Sequence, residues 1–120
     1  MAKILLAEDD ESMRSFLTRS LTRVGHEVCS VRDGFEALPH ITGGDFDLLV
    51  TDIVMPGMDG LELARRTSLE IPDMKVIFIT GFAAVSLNSH ASERSDAKVL
   101  SKPFHLRTLV DEIDRVLEVA

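Results

Sequence analysis

Five residues in this chain have types and positions that could do chemistry together. The stretch "KILLAEDDES" runs an apolar segment into four successive carboxylates, Glu8, Asp9, Asp10 and Glu11. Further along, "DLLVTD" ends in Asp52, "KVIFIT" ends in Thr80, and "VLSKPF" carries Lys102. Adjacent carboxylates repel one another, and a divalent cation relieves that repulsion. Mg2+ suits such a cluster best, because it takes oxygen ligands in an octahedron, keeps several waters and bridges carboxylates to phosphate. A metal on one side and a lysine on the other can neutralise the equatorial oxygens of a phosphoryl group while a carboxylate attacks in line. Thr80 adds a hydroxyl to that set. Asp52 has the most constrained context of the acids, since it ends an apolar run and should project from a rigid strand. Zinc is poorly supported: His26, His40, His90 and His105 are dispersed, without ligand spacing to a cysteine, and read as surface or helix-end residues.

These residues need elements to hold them. Five short β-branched or apolar runs, 3–7, 27–31, 47–51, 75–80 and 98–101, alternate with stretches of helical period at 12–24, 34–41, 61–70, 84–94 and 106–119. In the first helical stretch Met13, Phe16, Leu17 and Leu21 recur at three- and four-residue steps. In the last, Leu109, Val110, Ile113, Val116 and Leu117 do the same. Gly25, the Gly43–Gly44 pair and Pro72 punctuate helix ends. The third and fourth runs are almost continuously apolar, as strands covered on both faces are, and the strict alternation points to a parallel sheet with helices on each side. Glu8 and Asp9 then follow the first strand, Asp52 and Thr80 end the third and fourth, and Lys102 follows the fifth. All five lie at the carboxyl edge, where open α/β sheets bind ligands.

Composition bounds the rest. A length of 120 residues suits one domain, and 45% apolar residues can fill a core. A formal net charge of −7, with 13 scattered Lys and Arg, argues against unaided nucleic-acid binding. The apolar runs are too short to span a membrane and the N-terminus reaches its acids too soon for a signal peptide, so a cytoplasmic location is expected. The lone Cys29 excludes an internal disulfide and reads as a buried, inert thiol.

The segments "LLAEDD", "LLVTDIVMPGMDG", "VIFITG" and "LSKPF" occur in order, with Asp52 about forty residues beyond Asp9 and Lys102 fifty beyond Asp52. Across essentially its whole length the chain resembles the receiver domain of two-component response regulators. The resemblance implies a doubly wound (βα)5 flavodoxin-like fold, a parallel five-stranded sheet of order 2-1-3-4-5, and a single receiver domain over 1–120 with no output domain. It implies that Asp52 accepts a phosphoryl group from a histidine kinase or histidine phosphotransfer protein. Glu8 and Asp9 would hold Mg2+, Asp9 more directly and Glu8 through water, with Asp52 and the Val54 backbone carbonyl. Thr80 would swing toward the phosphoryl group and Lys102 would pair with it, across a cis bond to Pro103. Asp10 and Glu11 would be loop charge and the start of the first helix, where the dipole favours acids.

Some positions depart from the family pattern. Many receivers carry Tyr or Phe three residues before the lysine; here it is Val99. Val54 and Phe82, which flank the route of an attacking water, are both apolar, so slow self-dephosphorylation is expected, with Phe82 shielding the phosphate. Beyond self-phosphorylation from a phosphodonor, no enzymatic activity is implied. Phosphatases that use an aspartate nucleophile commonly carry a second acid two residues later, and Val54 cannot serve. A nucleotide site is also unsupported, for there is no G-x-x-x-x-G-K-[ST] loop. Output is then expected as a change in protein binding by a monomer or weak homodimer. "AEDDESMRSFL" and "DGFEALPHI" are most similar to the CpdR-like receivers of alphaproteobacteria. That likeness implies a proteolysis adaptor for ClpXP, active when unphosphorylated. The alternative is a relay carrier that passes phosphate to another histidine. The apolar end "VLEVA" fits either a protease-recognised tail or the end of an amphipathic helix.

Overall fold

The three middle strands are buried but for the lysines that open two of them, and the rest of the chain is arranged around them. The computed structural model describes residues 2–42, 44–81 and 98–118. Its strands are β1 (Lys3–Ala7), β2 (Glu27–Val31), β3 (Leu48–Asp52), β4 (Lys75–Thr80) and β5 (Lys98–Ser101). Its helices are α1 (Glu11–Val24), α2 (Gly34–Ile41), α3 (Gly60–Glu70) and α4 (Leu106–Glu118). All neighbouring strands pair in parallel, in the order β2-β1-β3-β4-β5. The helix expected over 84–94 lies outside the described residues.

Alternate strand residues point to opposite faces, and the helices divide between those faces accordingly. Ile4, Leu6, Leu48, Val50, Ile77 and Ile79 pack under Leu17 and Leu21 of α1 and Leu109, Ile113 and Val116 of α4. Leu5, Ala7, Leu49, Val76 and Phe78 pack under Ala37 and Ile41 of α2 and Leu63 and Ala64 of α3. Truncating one such leucine to alanine costs about 2–5 kcal/mol, so the strand ends stand on a stiff frame.

Three aspartates start helices at the carboxyl edge. Asp10, Asp33 and Asp59 are the N-caps of α1, α2 and α3, each accepting a hydrogen bond from the backbone N–H three residues on. With its cap and first helical residue assigned, α1 begins at Glu11, and α3 at Gly60, one residue earlier than the periodicity indicated. Asp10 and Glu11 thus occupy the helix start foreseen for them. Gly25 ends α1 with φ 115° and its N–H on the Leu21 and Thr22 carbonyls, a left-handed cap that glycine takes without strain. β3 runs one residue later than the sequence suggested: Asp47 bonds Lys3 and Lys75 through its backbone and accepts the Lys3 N–H on its carboxylate, and paired register opens at Leu48. That shift puts Asp52 inside the strand.

Candidate metal and phosphoryl site

Parallel register brings distant carboxylates together. β1 and β3 are neighbours in the middle of the sheet, so Glu8 and Asp9, just past β1, come beside Asp52 at the end of β3. One carboxylate oxygen from each of Glu8, Asp9 and Asp52 lies within 4.8 Å of the others. Glu8 and Asp52 are buried and Asp9 is exposed, so the cluster opens to solvent on the Asp9 side.

Each acid is held by its own contacts. The Glu8 N–H donates to the Val31 carbonyl at 3.1 Å, an extension of the β1–β2 ladder. Its Oε2 accepts from the Asp10 N–H at 3.0 Å. Asp52 Oδ1 accepts from the Val54 N–H at 3.2 Å, and the Thr51 hydroxyl donates to the Asp52 carbonyl at 2.9 Å. Gly60 matters here through what it lacks. A Cβ at that position would lie 2.1 Å from the Asp52 carbonyl oxygen, and the Gly60 N–H bonds the Ile53 carbonyl at 2.7 Å. Glycine lets α3 start directly against the acceptor strand.

Lys102 closes the other side. Its Nζ donates to Asp52 Oδ2 at 2.9 Å and stands 3.0 Å from Glu8 Oε1. Register with β4 sets its position, since the Lys102 N–H bonds the Thr80 carbonyl at 2.7 Å. Thr80 itself is fully buried at the end of β4. The Lys102–Pro103 bond is cis, as the family resemblance implied.

The electrostatics are unbalanced in a useful direction. Burial pushes the Glu8 carboxyl up to about 7, against the opposing pull of the Asp10 N–H and Lys102, and the nearby Asp52 charge raises it further. Burial also works against the Lys102 ammonium, but Asp52 and Glu8 more than compensate and hold its pKa above the ordinary lysine value. Glu8 Oε1 is buried with an ion-pair neighbour but no hydrogen bond. Three carboxylates facing one ammonium leave an all-oxygen site short of positive charge. Those features fit Mg2+, which would take carboxylate oxygens inside and water on the open side.

The remaining expected positions are scattered in exposure. Val54 is 49% exposed next to Asp52, and Val99 is half-buried on β5 against the α2/α3 face. Phe82 and His90 lie outside the described residues. His26, read as a surface or helix-end residue, does stand at the end of α1, just past its cap, but it is buried there, its Nδ1 accepting from the Ala2 N–H. One expectation needs correction. Cys29, read as buried, is only partly so, and its Sγ lies 3.5 Å from His40 Nδ1. Burial nonetheless raises its thiol pKa, although Lys3 pulls the other way. Sequence reasoning also missed Arg14, whose guanidinium bonds the Glu8 carbonyl at 3.0 Å. An arginine one turn beyond an acidic strand end was the available signal.

Comparison with known proteins decides the family. The response regulator receiver domain matches residues 4–114. The chain belongs to that family. Over 120 residues it is 54% identical to the response regulator receiver protein CpdR of Brucella abortus, an alignment covering 100% of both chains. Among solved structures, a CheY-like receiver domain protein from Methanospirillum hungatei superposes with a TM-score of 0.91 at 28% identity, covering 98% of this chain and 94% of that one. The response regulator TrrA of Thermotoga maritima, solved with Mg(2+)-BeF, superposes with a TM-score of 0.81 at 28% identity, covering 97% and 99%. Like these receivers, the chain has a doubly wound sheet of order 2-1-3-4-5. No helix among its described residues is long and apolar enough to cross a membrane.

Proposed function

We propose that this receiver is a phosphorylation switch, with Asp52 as acceptor and a change in protein binding as its output. One observation carries the reading: Asp52, on a rigid buried strand end, lies between two further carboxylates and the Lys102 ammonium. Mg2+ held by Asp9, Asp52 and the Val54 carbonyl, with Glu8 behind, would supply positive charge opposite the lysine. A carboxylate oxygen of Asp52 attacks phosphorus, the bond to the donor histidine nitrogen breaks, and the departing imidazole takes a proton. Lys102 leaves its ion pair with Glu8 and stays with the new acyl phosphate, and the Thr80 hydroxyl donates to it. Val54 and Phe82 cannot orient a hydrolytic water, so the phosphoryl group persists; Val54→Asn speeds its loss several-fold, and an unchanged rate refutes this role.

Full-length similarity to CpdR supports a narrower reading, an adaptor for ClpXP-dependent proteolysis that acts when unphosphorylated and is switched by a histidine kinase or phosphotransfer protein. The first test is phosphorylation by phosphoramidate with Mg2+, read by intact mass. Wild-type protein gains one phosphoryl group and Asp52→Asn gains none; equal uptake by both rejects Asp52. Binding to purified ClpXP is then compared for untreated, beryllofluoride-treated and Asp52→Ala protein. Retention by the first and third alone supports the adaptor. No retention by any form, with phosphotransfer to a partner histidine, makes the chain a relay carrier.

A further inference from the structure

Arg14, in the first turn of α1, follows four successive carboxylates in the sequence and pairs with none of them among the described residues. Its Nη1 donates instead to a neutral acceptor, the Glu8 carbonyl, at 3.0 Å, and it makes no ion pair among the described residues. The same residue's N–H donates to the Asp10 carbonyl at 2.9 Å. That second bond is the first of α1's backbone ladder, which any residue here would make, so the arginine's own hold on the turn is the guanidinium bond to Glu8. The other polar groups of that turn are also committed: the Glu8 N–H to Val31, the Asp10 N–H to Glu8 Oε2, and Asp10 Oδ1 to the Met13 N–H. That leaves Glu8 Oε1 and the exposed Asp9 side chain, both in the cluster, without a hydrogen bond among the described residues.

We propose that Arg14 is a positioning residue for the Mg2+ site: its guanidinium, through the Glu8 carbonyl, holds the Glu8–Asp10 turn in the arrangement that binds metal. This rests on the Mg2+ reading above. A turn carrying successive like charges tends to open, and a donor clamped on its backbone opposes that opening without consuming a carboxylate. Arg14 on α1 thereby ties the helix to the geometry of the acids at the end of β1.

Two roles for the guanidinium predict opposite signs. If only its charge counts, it repels Mg2+, and removing it tightens binding. If it positions the turn, removing it weakens binding. The experiment is an Mg2+ titration of wild type, Arg14→Ala and Arg14→Lys at pH 8 by calorimetry, with amide hydrogen exchange at Asp9 and Asp10 in the metal-free proteins. Arg14→Ala is expected to bind Mg2+ about tenfold more weakly, with faster exchange at both amides, and Arg14→Lys to fall between it and wild type. Tighter binding, or unchanged affinity with only a lower Tm, overturns the proposal. Should Arg14→Ala not fold, Arg14→Lys carries the same test, and wild-type affinity and exchange in it overturn the proposal. Absence of Mg2+ binding by wild type itself would overturn the underlying metal reading, a result distinct from wild-type-like binding by the variants.

Discussion

The two edges of the sheet use charge in opposite ways. At the amino edge Lys3 Nζ pairs with Asp45 at 2.6 Å, the Lys3 N–H donates to Asp47, and the Ala2 N–H donates to His26. The Lys3–Asp45 pair lies at the surface, with Lys3 half-buried and Asp45 exposed, and the hydrogen bond between them raises the lysine pKa and lowers that of the aspartate. Lys3, Asp45 and Asp47 there each have a partner and water. At the carboxyl edge Glu8 and Asp52 are buried, share one lysine, and leave Glu8 Oε1 without a hydrogen bond. The lesson is that the amino edge pairs Lys3 by folding alone, with His26 Nε2 its one buried side-chain polar atom without a hydrogen bond among the described residues, whereas the carboxyl edge is left with a deficit of positive charge that an ion can fill. Surface pairs of the first kind contribute little to stability; incomplete buried clusters of the second kind are where function concentrates.

The contrast can be broken most severely at Gly60. Gly60→Ala drives a methyl into the Asp52 carbonyl and should cost about 2–3 kcal/mol, read by denaturant unfolding, with phosphorylation impaired in whatever folds. A wild-type midpoint would mean that α3 can move away freely. Next in size, Glu8→Gln removes a buried charge. Metal-free protein at pH 8 should gain thermal stability while Mg2+ affinity falls about tenfold. Loss of stability with unchanged affinity would show the carboxylate to be structural.

A third effect sharpens the comparison through pH. Glu8 has a folded-state pKa near 7, above the ordinary value of about 4.3. Between those values the folded chain keeps a proton that the unfolded chain has released. Metal-free stability should therefore fall as pH rises from about 4.5 to 7 and level off above. Mg2+, which needs the ionised carboxylate, should raise Tm more at pH 8 than at pH 6. An equal Mg2+ effect at both would remove Glu8 from the site. The smallest change belongs to the amino edge: Asp45→Ala should leave Mg2+ affinity unchanged and Tm within about 2 °C, and a larger shift would mean that this edge is not as self-sufficient as its contacts suggest.

Much of the frame was legible in the chain itself. Apolar runs without alternation mark β3 and β4 as doubly covered, helical periods mark α1 and α4, and the acids, Thr80 and Lys102 fall at strand ends. Such properties depend on residues a few positions apart, so the order of side chains suffices. Tertiary structure decided the rest. Which carboxylate is buried and that Lys102 bridges Glu8 and Asp52 depend on segments far apart in sequence meeting in parallel register, while the reach of Arg14 to the Glu8 carbonyl, the contact of Gly60 with Asp52 and the burial of His26 depend on how the helices dock against the strand ends. Local pattern says what each residue can become; only the packing of β1 against β3, and of α1 and α3 against their ends, gives those groups partners and sets their charge.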